Sequence, residues 1–278
     1  MFYRPTTLRE ATEALASGGQ VLAGGTDFFP ALGIRPAPER IIDVSRVSEL
    51  RGIHFGPDQI RIGGATTWSE IARAALPRSC DALRAAAREV GAVQVQNRGT
   101  IAGNLCNASP AADGVPPLLI LDAQVELTSY RGKRTVPLSK FIIGNRKTQR
   151  QPDEILSAVL IPAALSSSPS VFLKLGARRY LVISISMVAV LLAQREDGRI
   201  QTARIAVGAC SAAAQCLNEL EQDLVDHPAD SSLAEIISAR HLSPLSPIDD
   251  VRATSTYRLD ATLTLVRRAI AACTEQLA

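Results

Sequence analysis

The spacing of apolar positions changes along this chain, and each change marks an element. Leu8, Ala11 and Leu15 recur at helical spacing behind Thr7-Leu8-Arg9-Glu10. That tetrapeptide is a capping box, whose threonine hydroxyl and glutamate carboxylate satisfy the first free amides of a helix. Gly18-Gly19 predicts where the helix stops. Short apolar runs at 20–23 and 40–44 predict strands, and 53–55 with 59–62 predict a hairpin across Gly56-Pro57-Asp58. Thr67-Trp68-Ser69-Glu70 repeats the capping box ahead of a helix running toward Leu76, and the Ala-, Leu- and Arg-rich stretch 81–90 predicts another. Residues 97–117 read as one long loop dense in Gly, Asn, Ser and Pro, ordered by its apolar flanks and of a length usually kept for function. Buried structure resumes over 118–128. A turn at 130–133 leads to a short strand at 135–136, and 154–161 predicts a further strand. Leu165-Ser166-Ser167-Ser168-Pro169 is the linker candidate. Beyond it, 171–175, 181–193 and 199–207 read as three antiparallel strands, the last two joined by Glu196-Asp197-Gly198. Helices follow at 218–225, 231–239 and 254–277. A mixed first part and a meander-then-helix second part make an α+β chain.

Two glycine-rich loops carry candidate chemistry. Val21-Leu22-Ala23-Gly24-Gly25-Thr26-Asp27 follows a strand and precedes a helix. Its glycines let backbone approach a ligand closely, and successive N–H groups there form an anion-binding nest suited to phosphate. A Gly-Gly turn with Thr26 or Asp27 as helix cap fits the same residues. The second loop runs Arg98-Gly99-Thr100-Ile101-Ala102-Gly103-Asn104-Leu105-Cys106-Asn107-Ala108-Ser109-Pro110-Ala111-Ala112-Asp113. It offers small residues, Thr100 and Asn104 as side-chain donors, and an acid at Asp113. A carboxylate repels phosphate, so Asp113 suits the hydroxyls of a ribose or ribityl chain; a polar loop whose Asn and Asp satisfy their own backbone is the alternative. Neither loop has the G-x-G-x-x-G spacing or the G-K-[ST] ending of a P-loop, which argues against a Rossmann site and an NTPase.

Composition narrows the chemistry further. The 278 residues carry 30 basic and 27 acidic side chains, a net charge of +3, too small and dispersed to predict a nucleic-acid or anionic-membrane partner. The 3 His and 5 Cys show no C-x-x-C pair and no histidines one helical turn apart, so no metal centre is expected from a local ligand run. His54, His227 and His241 stand alone, as surface or satisfied core residues. Ser109 has no nearby base and no support as a nucleophile. Cys106 reads as a small buried thiol, and Arg178-Arg179 as a solvated turn. Lys174, in an otherwise apolar strand just after the linker, fits a solvated strand lysine and a ligand contact equally well. The residues Met1-Phe2-Tyr3-Arg4-Pro5 lack a signal-peptide layout, and the longest apolar run, 180–193, is too short to span a bilayer. With dispersed, unpaired cysteines, the expectation is a soluble cytoplasmic protein with no membrane insertion.

Taken together the two loops resemble the FAD-binding (medium) subunit of the molybdenum hydroxylases, the family of carbon monoxide dehydrogenase, bacterial xanthine dehydrogenase and related N-heterocycle hydroxylases. Ala23-Gly24-Gly25-Thr26-Asp27 and the 98–113 loop carry the likeness. Pro152-Asp153-Glu154-Ile155-Leu156, Lys174-Leu175-Gly176-Ala177-Arg178-Arg179 and Asp250-Val251-Arg252-Ala253-Thr254-Ser255-Thr256-Tyr257-Arg258 extend it over the chain. The resemblance implies a two-subdomain α/β FAD-binding domain of the PCMH or vanillyl-alcohol-oxidase type over 1–165 (subdomains about 1–55 and 56–165). A carbon monoxide dehydrogenase flavoprotein-like C-terminal domain over 166–278, a three-stranded antiparallel sheet with helices, would follow. It implies that Val21, Leu22, Ala23, Gly24, Gly25, Thr26, Asp27 and Phe28 wrap the FAD diphosphate, with Thr100, Ala102, Gly103 and Asn104 as the other wall. Asp113 would meet a hydroxyl of FAD, Leu156 would pack near the cofactor, and Lys174 would contact the flavin side. Ala102 departs from the glycine usual in the family, which implies a shifted fit. No catalytic side chain and no metal ligand is implied. The implied role is electron relay from [2Fe–2S] clusters of a small partner subunit, beside a large molybdopterin subunit, to an external acceptor. The assembly would be a heterotrimer or a dimer of heterotrimers. A self-sufficient FAD-dependent oxidoreductase and a non-catalytic scaffold remain the alternatives.

Overall fold

The computed structural model describes residues 1–277. Both capping boxes form: Thr7 accepts from the Glu10 amide at the head of helix Leu8–Ala16, and Thr67 from that of Glu70 at the head of Trp68–Arg73. The first helix buries Leu8, Ala11 and Leu15 on a three-stranded parallel sheet ordered Phe2–Tyr3, Ile41–Asp43, Gln20–Leu22. Ile42, Val44, Val47 and Leu50 complete this small core, and Ala65 and Ile155 join it to the next layer.

The second layer is a five-stranded antiparallel sheet, ordered Ile53–Phe55, Gln59–Gly63, Ile155–Pro162, Gln124–Ser129, Gly132–Pro137. Ile155–Pro162 is its central strand, which explains why that segment reads as continuously apolar. Helices Trp68–Arg73, Asp81–Glu89, Ile101–Asn107 and Val115–Ile120 pack on the sheet around Trp68, Leu83, Leu105 and Leu118.

Residues 97–117, expected as one loop, hold the helix Ile101–Asn107 and the start of Val115–Ile120. Thr100 caps the former, and the prolines of the latter sit in its first turn, where no amide is needed. The predicted strand over 181–193 is confined to Ser186–Gln194: Leu181 takes a φ of 53° and its carbonyl accepts from Arg178 Nε (3.1 Å), which breaks the extended run. The predicted helix over 231–239 shrinks to Leu233–Ile236.

The C-terminal sheet has four strands rather than the expected three. Ser170–Leu175, Ser186–Gln194 and Ile200–Gly208 are joined by the two-residue strand Gln215–Cys216, too short to leave a pattern in the sequence. Alternation along its central strand divides two cores. Met187, Ala189 and Leu191 face the helices on the five-stranded sheet, whereas Val188, Val190 and Leu192 face the long helix Ser255–Thr274. No helix among the described residues is long and apolar enough to cross a membrane.

Candidate functional site

A cavity of about 580 Å³ opens where the parallel-sheet layer meets the antiparallel one. Its first wall begins where strand Gln20–Leu22 ends. Gly24 is required there by packing: a Cβ on it would lie 2.0 Å from the Arg98 carbonyl oxygen and 3.0 Å from Gly99 Cα. Gly25 is required by conformation, with a φ of +77°. Among the described residues, none of the backbone N–H groups from Gly24 to Phe28 donates to another group of the chain. Five successive donors are thus left facing a cavity, the arrangement that binds anions.

The opposite wall is built differently. The Ile101, Ala102 and Gly103 amides donate to Thr66 O, Gly64 O and Thr100 Oγ1, each at 3.0 Å, and the Asn104 amide to Thr100 O at 3.0 Å. This wall therefore offers surface and side chains rather than backbone donors. Ile101 and Leu105 anchor it in the core. The buried Asn104 Oδ1 has no hydrogen-bond partner. Gly64 lets the walls close up beneath: its Cβ would meet the Leu156 carbonyl oxygen at 2.2 Å.

Of the sequence-predicted residues, Val21, Ala23, Gly24, Gly25, Thr26, Asp27, Phe28, Thr100, Ala102, Gly103, Asn104 and Leu156 line this cavity together. Leu22, Asp113 and Lys174 do not. Leu22 is a buried strand residue beside Asp43. Asp113 and Lys174 face each other instead, Nζ to Oδ2 at 2.7 Å, with side chains 9% and 7% exposed. Ser184 Oγ donates to Asp113 Oδ1 (2.6 Å), and Lys174 also donates to the Glu89 carbonyl (3.2 Å). The pair thus fastens the C-terminal sheet to the layer of the five-stranded sheet and its helices. Burial raises the Asp113 carboxyl above its ordinary pKa, against the pull of Lys174 and the two hydrogen bonds.

Three cations at the cavity went unmarked in the sequence: Arg35, Arg146 and Arg150. Arg146 holds an unusual φ of 55° and its side chain donates to Asn107 Oδ1. Arg150 Nη1 donates to the Glu154 carbonyl at 2.7 Å. The Glu154 carboxylate is neutralised by Arg134, in two bonds of 2.6 and 2.8 Å. The spacing Arg146-x-x-x-Arg150 just ahead of Pro152-Asp153-Glu154 was the only available signal. Cys106 also lines the cavity, and burial pushes its thiol up to about 11, so it is not a nucleophile at neutral pH. A second, polar cavity of about 410 Å³ shares Ala23, Gly24, Ala65 and Thr100 with the first and is edged by Arg51, Arg73 and Arg98.

His241 is a satisfied core residue. Its Nδ1 accepts from the Ser238 amide (3.0 Å), which leaves Nε2 to carry the proton toward Asp223 (3.0 Å). Arg240 bridges Asp223 and Glu219, so a guanidinium already occupies the one grouping of His and acids with ligand spacing among the described residues.

The profile of the FAD binding domain in molybdopterin dehydrogenase matches residues 1–164. The chain belongs to that family. The CO dehydrogenase flavoprotein C-terminal domain matches residues 172–273. The xanthine dehydrogenase FAD-binding subunit of Escherichia coli O157:H7 is 32% identical over 275 residues, covering 97% of this chain and 94% of its own. The nicotine 6-hydroxylase medium subunit of Paenarthrobacter nicotinovorans is 30% identical over 271 residues, 96% and 94% of the two chains. Quinoline 2-oxidoreductase from Pseudomonas putida 86 superposes with a TM-score of 0.90 at 26% identity, over 99% of this chain and 96% of that one. The protein is an FAD-binding oxidoreductase subunit of the xanthine and CO dehydrogenase type, built as an FAD-binding domain followed by a C-terminal antiparallel sheet with helices.

The residues present fit that cofactor. The cavity volume falls in the range of small-molecule sites. The free amides and an excess of cations suit a diphosphate, and the Asn104 carboxamide oxygen is an acceptor awaiting a donor.

Proposed function

We propose that this chain is the electron-relay subunit of a molybdenum hydroxylase. It would take electrons from [2Fe–2S] clusters of a small partner subunit, in a complex whose large subunit carries molybdopterin, and pass them to an external acceptor. Bound flavin supplies a centre that takes electrons singly and releases them in pairs. The protein's part is binding, orientation and electrostatics. Gly24 to Phe28 hold the diphosphate through backbone amides, Thr100 to Asn104 and Leu156 form the facing surface, and Asn104 accepts from the cofactor. Asp113 and Lys174 act by fixing the C-terminal domain rather than by touching the cofactor. The domains are taken as 1–165 and 166–278, the complex as a cytoplasmic heterotrimer or a dimer of heterotrimers.

The observation that carries the cofactor assignment is the run of unbonded amides at Gly24–Phe28 facing the Thr100–Asn104 wall. The relay role is supported by relatives that are themselves subunits, such as the nicotine 6-hydroxylase medium subunit. Expression with its genetic neighbours, followed by purification on a tag carried by this chain, tests both. The expected result is a yellow complex whose flavin bleaches when the hydroxylase substrate is added and recovers with acceptor. A colourless chain that takes up no FAD sinks the assignment. Turnover by the isolated flavin-loaded chain sinks the relay role.

A further inference from the structure

The segment that follows the glycine turn has little to hold it in place. Helix Phe28–Leu32 has no buried residue, and none of residues 28–38 is buried. The segment is strongly apolar nevertheless: Phe29 is 59% exposed and Ile34 fully exposed. Among the described residues, none of its hydrogen bonds reaches beyond residues 25–38. The Phe29 and Ala31 amides donate to Gly25 O and Asp27 O, the Arg35 amide to Leu32 O, and the Arg35 side chain to the Ala31 and Leu32 carbonyls. Yet Phe28, Ala31, Leu32 and Arg35 form one side of the cavity. Glycines at positive φ stand at its start and its middle, Gly25 at +77° and Gly33 at +55°. A segment with no buried contacts and no outward hydrogen bonds opens at almost no free-energy cost. A ligand that touches it supplies the contacts it lacks.

Arg35 is the group on this segment able to respond to an anion. It takes part in no salt bridge among the described residues, and its guanidinium binds only carbonyls of its own turn. Arg146 and Arg150 are by contrast tied to the fixed wall through Asn107 and the Glu154 carbonyl. We propose that residues 28–38 are a hinged lid over the cavity and that Arg35 closes it on the phosphates of a bound nucleoside diphosphate moiety. The proposal rests on the assignment of the cavity to FAD and adds a moving part to it.

Hydrogen exchange of the full chain, with and without ligand, tests the lid. The amides of 28–38 should exchange within seconds in the flavin-free chain. They should slow about tenfold or more with FAD or with ADP, and stay fast with riboflavin, which has no phosphate. Arg35→Gln should speed FAD release about tenfold, the usual worth of a charge-assisted hydrogen bond, with Arg35→Lys recovering part of it. Protection already present without ligand overturns the lid. So does FAD uptake, read by flavin absorbance, that leaves exchange of 28–38 unchanged while the cofactor assignment stands. Closure with riboflavin, or unchanged FAD release from Arg35→Gln, removes Arg35 from the mechanism. A chain that takes up no FAD defeats the assignment and the lid together.

Discussion

Gly24→Ala is the sharpest single test of how the cavity is made. The added methyl would sit 2.0 Å from the Arg98 carbonyl oxygen, 2.7 Å from its carbon and 3.0 Å from Gly99 Cα. An ordinary carbon–oxygen approach is about 3.3 Å, so the two backbones must part by about 1.3 Å. The Arg98 side cannot swing away freely. The Gly99 amide donates to Val95 O, and Gly99 O accepts from the Trp68 amide at 3.1 Å, which ties this crossing to a buried tryptophan. Relief therefore falls on the free amide run that begins at Gly24. Overpacking of this kind costs about 1–3 kcal/mol. Expressed in cofactor binding, that is about 5- to 150-fold weaker FAD affinity. Titration of the flavin-free chain with FAD, followed by quenching of flavin fluorescence, measures it. Gly132→Ala is the comparator. It sits in a hairpin turn at a φ of +138° with open space around it, so it should lower the melting temperature and leave FAD affinity unchanged. Wild-type FAD affinity in Gly24→Ala would refute the reasoning, whatever happens to stability.

The remaining predictions concern what holds the walls. Lys174→Met leaves Asp113 buried without its cation and should cost about 3–5 kcal/mol in urea unfolding. Because the folded Asp113 pKa already lies above its unfolded value, that carboxyl costs stability as pH rises through the folded value. Removing the lysine raises the folded value further, so the deficit should be smaller at about pH 5 than at about pH 8, and adding Asp113→Asn should flatten that dependence. Thr100→Ala removes the cap on Ile101–Asn107 and should cost about 1 kcal/mol, read as a lower melting temperature that Thr100→Ser largely restores. Arg134→Ala strands the buried Glu154 carboxylate, at about 1.5–3 kcal/mol. Burial pushes that carboxyl upward, but Arg134 and the Gln151 amide hold it below the usual value, so its contribution is present at neutral pH and fades as pH falls. The Arg134→Ala deficit should therefore close in acid, as pH-dependent unfolding will show.

Local chemistry made part of this legible in the sequence. Both capping boxes, the hairpin at Ile53–Phe55 and Gln59–Gly63, and the strand break at the Gly24-Gly25 turn are written in adjacent residues, and they form as read. What escaped depends on distant partners. Helix Ile101–Asn107 contains Gly103, Asn104 and Asn107, poor helix formers, and is held by Gly64 and Thr66 carbonyls from another segment. Lys174 and Asp113 stand 61 residues apart, and only docking of the C-terminal sheet pairs them. Lys174 was read as a solvated strand lysine or a ligand contact, and it is neither, because a second layer covers that face. Gly24 was singled out for close approach to a ligand. The structure adds that Gly24 is also needed where one loop crosses another.

The two walls of the cavity differ in a way that bears on how such a subunit is assembled. The Thr100–Asn104 wall has every amide from Ile101 to Asn104 bonded within the chain and two side chains, Ile101 and Leu105, fully buried in the large core. It is finished by folding alone. The Gly24–Phe28 wall has no such bonds and leads into a segment with no buried residue. It hangs from the smallest of the cores, that of Leu8, Leu15, Ile42 and their neighbours. A ligand that binds only the folded form stabilises whatever it completes, in proportion to the logarithm of its concentration over Kd. The backbone amides left free for an anionic cofactor lie on the unfinished side. The expected outcome is that FAD loading slows hydrogen exchange mainly in the first subdomain and leaves the C-terminal layer, clasped by Lys174 and Asp113 away from the cavity, unchanged.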